Sequence, residues 1–245
     1  MINKANLTKK LLFIALSLFL NISFLAYATN TQAKESKESK VENTAARQGL
    51  PFRRAGGGTR GNNCLAEQTA IALVPTTPIN LATRSDNKLF FYIPPTQGKA
   101  EIEFVLRDVQ DNLIHEQILV TEGKAGIVAL DLPTNLSTKS LKLNSNYRWY
   151  FSLICNPENR SQDIVLEGWI KQIQPDSSIK QSLSLSDKVD FYLEANLWYD
   201  ALNLAAELKF NQTDNSKWLE LLHSIGLSAV AQQPILNLQS TFVSN

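Results

Sequence analysis

The densest group of side chains that could carry chemistry is the run Trp198-Tyr199-Asp200. A carboxylate beside two aromatic rings could bind a sugar or take part in acid–base catalysis. The same side chains could instead make structural hydrogen bonds to a neighbouring sheet, which is the favoured interpretation. We therefore treat Trp198, Tyr199 and Asp200 as candidate binding residues and predict no catalytic role for them.

Other catalytic patterns are incomplete. A glycosidase needs two carboxylates that face one cleft, and the acidic residues between 163 and 200 form no such motif. His115 is expected on the solvent face of a strand and His223 in a helix. Both are isolated, with no Gly-x-Ser-x-Gly elbow and no metal-ligand partner at a recognisable spacing. The sequence predicts no catalytic residue, no metal and no cofactor.

Cys64 and Cys155 are the two cysteines of the chain. In an oxidising compartment an even pair of cysteines indicates a disulfide first. A catalytic cysteine would need a nearby histidine, and a zinc site would need four ligands at a suitable spacing. We expect a Cys64–Cys155 disulfide.

Glycines and arginines precede Cys64 and suggest a phosphate cradle. A P-loop requires Lys-Ser or Lys-Thr after its last glycine, but Gly61 is followed by two asparagines. The favoured interpretation is a flexible segment that leads into the fold. Arg60 is kept as a candidate binding residue.

Residues 1–28 have the order of a secretory signal peptide. Three lysines precede the short apolar run Leu11–Leu20, and Ala26-Tyr27-Ala28 supplies small residues before a cleavage site. The apolar run is shorter than the roughly 20 residues that span a bilayer, so no stable membrane insertion is expected after cleavage. The sequence predicts export to the periplasm or the cell exterior.

The mature chain is close to neutral. Cleavage would lower the 24 basic residues to 21 against 23 acidic ones, a net charge of about −2. Nucleic-acid binding depends on a clustered cationic face, which the sequence does not provide. We expect no nucleic-acid partner.

Composition and periodicity divide the mature chain. Residues 29–55 lack a core-forming pattern and indicate a disordered spacer. Residues 56–178 contain short runs of alternating or continuous apolar residues with Pro, Gly and Asn between them, which predict strands. The most regular run is Asn146–Cys155, in which Tyr147, Trp149 and Phe151 share one face. The last strand carries Trp169, a further candidate binding residue.

The period changes after Ser184. Ser184-x-x-Asp187 predicts a capping box, and apolar residues at three- and four-residue steps then predict an amphipathic helix as far as Leu208. A second helix is expected over residues 216–225. We therefore predict a helical hairpin over residues 179–234, packed on the strands, and a tail over residues 235–245.

Two resemblances extend these predictions. The segment from Leu141 to Trp149 is similar to the turn and strand of fibronectin-type modules, in which a tyrosine ties back the preceding corner. From Gly56 to about Pro234 the chain resembles the cyanobacterial exported family described as domain of unknown function 928. The matching motifs are Gly57–Gly61 with Cys64, Leu73–Pro75, Phe91–Pro94, Tyr147-Arg148-Trp149 with Cys155, Gly168–Ile170, Leu197–Leu202 and Trp218–Leu227. The family resemblance implies export and transfers no residue roles.

The expected fold is mainly β: an antiparallel immunoglobulin/fibronectin-like β-sandwich followed by a helical hairpin. The expected function is a non-catalytic module that binds another envelope or exported protein. The alternative is a module for carbohydrate or another small ligand, which requires at least one tryptophan exposed in a groove. A carboxylate-based hydrolase is the third class.

Overall fold

A computed structural model describes residues 52–56, 65, 69–77, 79–84, 86–133, 141–174, 182–211, 214–238 and 240–241. The predicted signal peptide, residues 29–51 of the predicted spacer, Arg60 and Cys64 lie outside these residues. Among the helices of the described ranges, none has the length and apolarity needed to cross a membrane.

Most of the strands lie between residues 55 and 172 and form two sheets. The strands are β1 (Ala55–Gly56), β2 (Ala70–Ala72), β3 (Ile79–Ala82), β4 (Lys88–Ile93), β5 (Glu101–Asp108), β6 (Leu113–Val120), β7 (Gly126–Asp131), β8 (Asn146–Ile154), β9 (Ile164–Gln172), β10 (Ile235–Leu236) and β11 (Ser240–Thr241). One sheet has the order β1-β2-β4-β7-β10, and the other has the order β11-β6-β5-β8-β9-β3. The mainly β prediction is confirmed.

The core lies between the two sheets. Successive side chains of a strand point to opposite faces, so the alternation in β8 places Tyr147, Trp149 and Phe151 on the inner face, as predicted, and all three are buried. From the opposite sheet, the ring of Phe91 in β4 stacks on Phe151 with centroids 4.4 Å apart. It also meets Trp149 edge-on at 5.4 Å. These aromatic contacts join the inner faces of the two sheets.

Both sheets are mixed, which corrects the expectation of a wholly antiparallel arrangement. β3 runs parallel to β9, and β10 runs parallel to β7. A tight hairpin cannot join parallel strands, and each of these pairs is separated along the chain by several other elements. β3 has four residues and β10 has two, so neither is long enough for its own pattern to indicate its direction.

The C-terminal region contains four helices in the described residues, where a hairpin of two was expected. They are α1 (Leu185–Glu194), α2 (Trp198–Phe210), α3 (Ser216–Ser224) and α4 (Ser228–Ala231). The N-cap of the predicted box is confirmed, because the Asp187 N–H donates to the Ser184 hydroxyl at 3.1 Å. The prediction of one continuous first helix is wrong. Asn196 adopts a left-handed conformation, with φ of 59°, and separates α1 from α2.

The helices contact the outer face of the five-stranded sheet, and α2 also contacts β3 of the six-stranded sheet. The Trp218 ring of α3 packs edge-on against Phe90 of β4, with centroids 5.7 Å apart. Because Phe91 points inward, Phe90 lies on the outer face of this sheet. The helices therefore cover the five-stranded sheet, while no described helix packs on the outer face of β5, β8 and β9.

Both ends of the described chain join the sheets. Arg53, assigned by its sequence to the spacer, makes two backbone hydrogen bonds with Glu167 of β9, and the Arg54 guanidinium donates to the Ile225 carbonyl at 2.9 Å. At the other end β10 and β11, assigned to the tail, add to the two different sheets. The folded part thus extends beyond both expected boundaries.

Candidate functional site

The first turn of α2 carries the predicted cluster into the interior. Trp198 Nε1 donates to the Leu73 carbonyl at 2.9 Å, and Tyr199 Oη accepts from Trp149 Nε1 at 3.2 Å. Burial raises the pKa of the Tyr199 hydroxyl, so this group remains protonated. The two rings fasten α2 to both sheets.

Asp200 is the most deeply buried acidic side chain of the described residues, with an exposed fraction of 0%. Its carboxylate accepts from the Thr83 N–H and hydroxyl, each at 2.8 Å, from the Arg84 N–H at 3.1 Å and from Asn87 Nδ2 at 3.3 Å. Desolvation raises the pKa of this carboxyl, and the hydrogen bonds oppose the shift. The geometry is that of a group that fixes the turn between β3 and β4.

Sequence reasoning missed Asn203, one turn further along α2. Its side-chain amide accepts from the Lys88 N–H and donates to the Lys88 carbonyl, both at 2.8 Å. The amide therefore pairs with the end of β4 as a neighbouring strand would. A polar residue three positions after Asp200, within an apolar helix, was the available signal.

Trp169 lies at a different place, on the outer face of the six-stranded sheet. The Arg148 guanidinium lies 5.8 Å from its ring centroid and 4.8 Å from that of Tyr150. Arg148 also forms an ion pair with Glu167. The structure therefore places Trp169 on a different face from the buried Tyr199 and Asp200, opposite Ile79 in the pairing of β9 with β3.

The exposure that tryptophan stacking on a ligand requires is lacking. The exposed fractions are 0% for Trp149, 9% for Trp169, 6% for Trp198 and 0% for Trp218. Three of the four indole groups make the hydrogen bonds or ring contacts described above, and the Trp218 N–H donates to the Ala231 carbonyl at 3.0 Å. These rings serve the packing of the helices and the sheets.

The histidines remain apart from the cluster. His115 was expected on the solvent face of β6, but it pairs with Leu106, and its ring lies 6.2 Å from that of Phe104 on the core side. Burial lowers the pKa of its imidazole. His223 Nδ1 lies 2.8 Å from the Ser228 hydroxyl, at the junction of α3 and α4. Within the described ranges no group of three His, Cys, Asp or Glu side chains could hold a metal ion.

A pocket of about 510 Å³ lies beside β3, at the junction of α1 and α2. Of the predicted binding residues, Trp198 reaches its wall, and none of the described lining residues is acidic. The lining residues are Pro75, Thr77, Ile79, Asn80, Leu81, Lys171, Leu193, Asn196 and Trp198. No motif of the sequence indicates this pocket, because it is assembled from segments far apart in the chain.

The disulfide stays a prediction, since Cys64 lies outside the described residues. Its neighbour Leu65 bridges to Thr96, in the connection that leads into β5. The first residue of β5, Glu101, lies opposite Ile154, which precedes Cys155. We expect intact-mass spectrometry of the exported, non-reduced protein to find no free thiol. Two alkylatable thiols would contradict the disulfide.

The comparison with protein families agrees with the sequence motifs. The model of the family described as Domain of Unknown Function (DUF928) matches residues 55–235. No curated protein matches the chain. Because the match spans well over half of the sequence and includes β1 to β9 and the four described helices, the chain belongs to the DUF928 family.

Proposed function

We propose that this chain is an exported, non-catalytic interaction module of the cell envelope that binds another envelope or exported protein. The observation that carries the proposal is the outer face of the six-stranded sheet. Beside Trp169, which is 9% exposed, we call the partly exposed patch formed by Val105, Arg148, Tyr150 and Val165 the open face. No described helix packs on it, whereas the helices cover the other sheet.

The open face has the composition of a protein-binding surface. Val105 and Tyr150 are directly opposed across β5 and β8, and Arg148 pairs with Trp169 across β8 and β9. Aromatic residues and arginine are the types enriched at the centres of protein interfaces. Stacking between two rings also holds the guanidinium in place before a partner arrives, which reduces the entropy lost on binding.

Charged residues surround this apolar and aromatic centre. At one end, the Arg160 guanidinium pairs with Glu103 at 2.7 Å and with Asp163 at 2.5 Å. Glu116 of β6 is exposed and lies directly opposite Val105 of β5. An apolar centre with a charged rim is the usual arrangement of a protein–protein interface.

Export rests on the signal pattern of residues 1–28, which indicates a compartment outside the cytoplasm. The predicted disulfide is compatible with such an oxidising compartment. A partner would then be another protein of the periplasm, the cell surface or the exterior.

The test is site-specific photo-crosslinking in the host cell. A tagged chain carries p-benzoyl-phenylalanine in place of Tyr150, and the matched control carries it in place of Phe210, which is 56% exposed on α2. We expect one stoichiometric protein adduct from position 150 and none from position 210. Val105→Glu should abolish the adduct while leaving the thermal midpoint close to that of the wild type. Bare protein at position 150, or equal adducts at both positions, would overturn the proposal.

We also propose that the two sheets form an immunoglobulin/fibronectin-like sandwich. The support is a corner that resembles the tyrosine corner of such domains, in which a tyrosine hydroxyl hydrogen-bonds to the backbone a few residues upstream. Here Tyr147 Oη, at the start of β8, accepts from the Lys142 N–H at 2.7 Å.

Tyr147→Phe tests the energetic role of this corner. The substitution keeps the ring, which is 3% exposed, and removes only the hydroxyl that accepts from Lys142. We expect the free energy of unfolding to fall by about 1–2 kcal/mol, because a backbone N–H loses its acceptor. Urea unfolding measures the change. A loss below about 0.3 kcal/mol would show that the corner contributes little.

A further inference from the structure

The pocket beside β3 follows an unpaired strand edge. Among the described strands, β3 is the last of its sheet and pairs only with β9. The helix α2 also contacts β3, and its Asp200 accepts from the Thr83 N–H just after the strand. The Ala82 carbonyl accepts from the Ile173 N–H at 2.8 Å, so the backbone groups of Ala82 point toward β9. Because these groups alternate in direction along a strand, the N–H and C=O of Leu81 point away from β9. No described backbone group pairs with them.

The walls of the pocket are mainly apolar. Ile79 and Leu81 project from β3 on one side, and Leu193 and Trp198 approach from the helix junction. The volume of about 510 Å³ is within the range of sites that take peptide fragments or small molecules. An unpaired N–H and C=O beside apolar walls match one kind of ligand best, namely another extended backbone with apolar side chains.

The ammonium group of Lys171 favours a ligand with a negative charge. Lys171 of β9 lines the pocket, and its ammonium has no carboxylate within ion-pair distance among the described residues. In the described part of the lining there is no acidic side chain. An extended segment with a carboxylate near its paired backbone would therefore complement the pocket in both charge and hydrogen bonding.

We propose that this groove binds an extended segment of the partner protein, which adds to β3 as a strand through Leu81 and places an acidic side chain against Lys171. This inference rests on the proposed function, since it names the form in which a partner would be bound. Leu193 and Trp198, at the junction of α1 and α2, would then form the wall that contacts an apolar side chain of the segment.

The first test uses a random twelve-residue peptide library displayed on phage and selected against the purified full chain. We expect the enriched peptides to alternate apolar residues and to contain Asp or Glu. On binding of a synthesised peptide, amide exchange measured by NMR should slow by about tenfold or more at Leu81, because its N–H becomes paired. Enrichment of no peptide, or peptides that leave the Leu81 amide unprotected, would overturn the inference.

Two variants and a control locate the binding. Lys171→Glu should raise the Kd for acidic peptides by about tenfold, the size of one charge-assisted hydrogen bond. Leu193→Trp should abolish binding by filling the groove. Lys124→Glu makes the same charge change in the turn between β6 and β7 and should leave the Kd unchanged. Equal losses from both lysine changes would contradict a specific groove.

The same variants separate this inference from the proposed function. If the adduct from position 150 persists in Leu193→Trp and no peptide is selected, the open face binds the partner and the groove inference fails alone. If peptides bind in the groove but position 150 gives no adduct, the open-face proposal fails while the peptide site stands. Should neither experiment give binding, both are wrong.

Discussion

Asp200→Ala is expected to lower the free energy of unfolding by about 3–5 kcal/mol at neutral pH. The substitution removes the acceptor of four hydrogen bonds, two of them from backbone N–H groups of Thr83 and Arg84. Thr83 is only 5% exposed and Asp200 is 0% exposed, so water cannot easily replace the lost acceptor. Each buried donor left without a partner costs about 1–3 kcal/mol.

Urea unfolding followed by circular dichroism measures this loss. The control is Glu207→Ala, which removes an exposed carboxylate from the same helix. Its effect should stay within about 0.5 kcal/mol. A loss below about 1 kcal/mol for Asp200→Ala would show that the turn between β3 and β4 is held by other contacts.

The pH dependence of Asp200 has a defined sign. Its carboxyl pKa is raised in the folded protein because burial disfavours the charged form. The folded state then keeps a proton that the unfolded chain has lost, so this group's contribution is fully present below about pH 4 and declines as the pH rises through the folded pKa. The stability difference between wild type and Asp200→Asn should therefore shrink as the pH rises above about 4. A difference that grows over this range would contradict the raised pKa.

A strand can be predicted from this sequence when it is long enough for its side chains to show a period. β8 has nine residues, and its alternation identified the buried face correctly. The cap at Ser184 was equally readable, because it depends on two residues three positions apart. By contrast, β3 and β10 are too short to show a period, and the parallel pairings they make depend on distant segments. Such contacts are set by the closing of the core.

The break between α1 and α2 shows a second limit. Apolar residues continue at helical spacing across Asn196, so periodicity alone predicts one helix. Asn196 interrupts it with a left-handed φ of 59°. At the start of α2, Trp198 and Asp200 then hydrogen-bond to Leu73 and Thr83, which lie 125 and 117 positions away in the chain. The pocket at this junction also depends on contacts between distant segments, so the sequence alone does not predict it.

The face of His115 was assigned wrongly for a related reason. The register of β5 and β6 shifts between Leu106 and Arg107, which is the mark of a bulge. An extra residue in one strand moves the side chains beyond it to the opposite face. A turn alone does not reveal such a shift.

Gly168→Ala is expected to cost about 3 kcal/mol of unfolding free energy. Gly168 in β9 lies directly opposite Trp149 in β8. A Cβ atom at position 168 would lie 2.3 Å from Cζ2 and 2.8 Å from Cε2 of the indole. Trp149 cannot move away freely, because its ring is 0% exposed, meets Phe91 edge-on at 5.4 Å and donates to Tyr199 at 3.2 Å.

A double-mutant cycle identifies the cause of this loss. Trp149→Phe should itself cost about 2 kcal/mol through lost packing and the lost hydrogen bond to Tyr199, but the smaller ring leaves space for a methyl group at position 168. The double variant should therefore be more stable than the sum of the two single losses predicts, by at least about 1 kcal/mol. Gly226→Ala is the matched control. It strains a backbone with φ of 76° but meets nothing within 4 Å, so its loss should add to that of Trp149→Phe. Strict additivity between positions 168 and 149 would show that the close approach of this glycine to the indole does not limit the stability of the core.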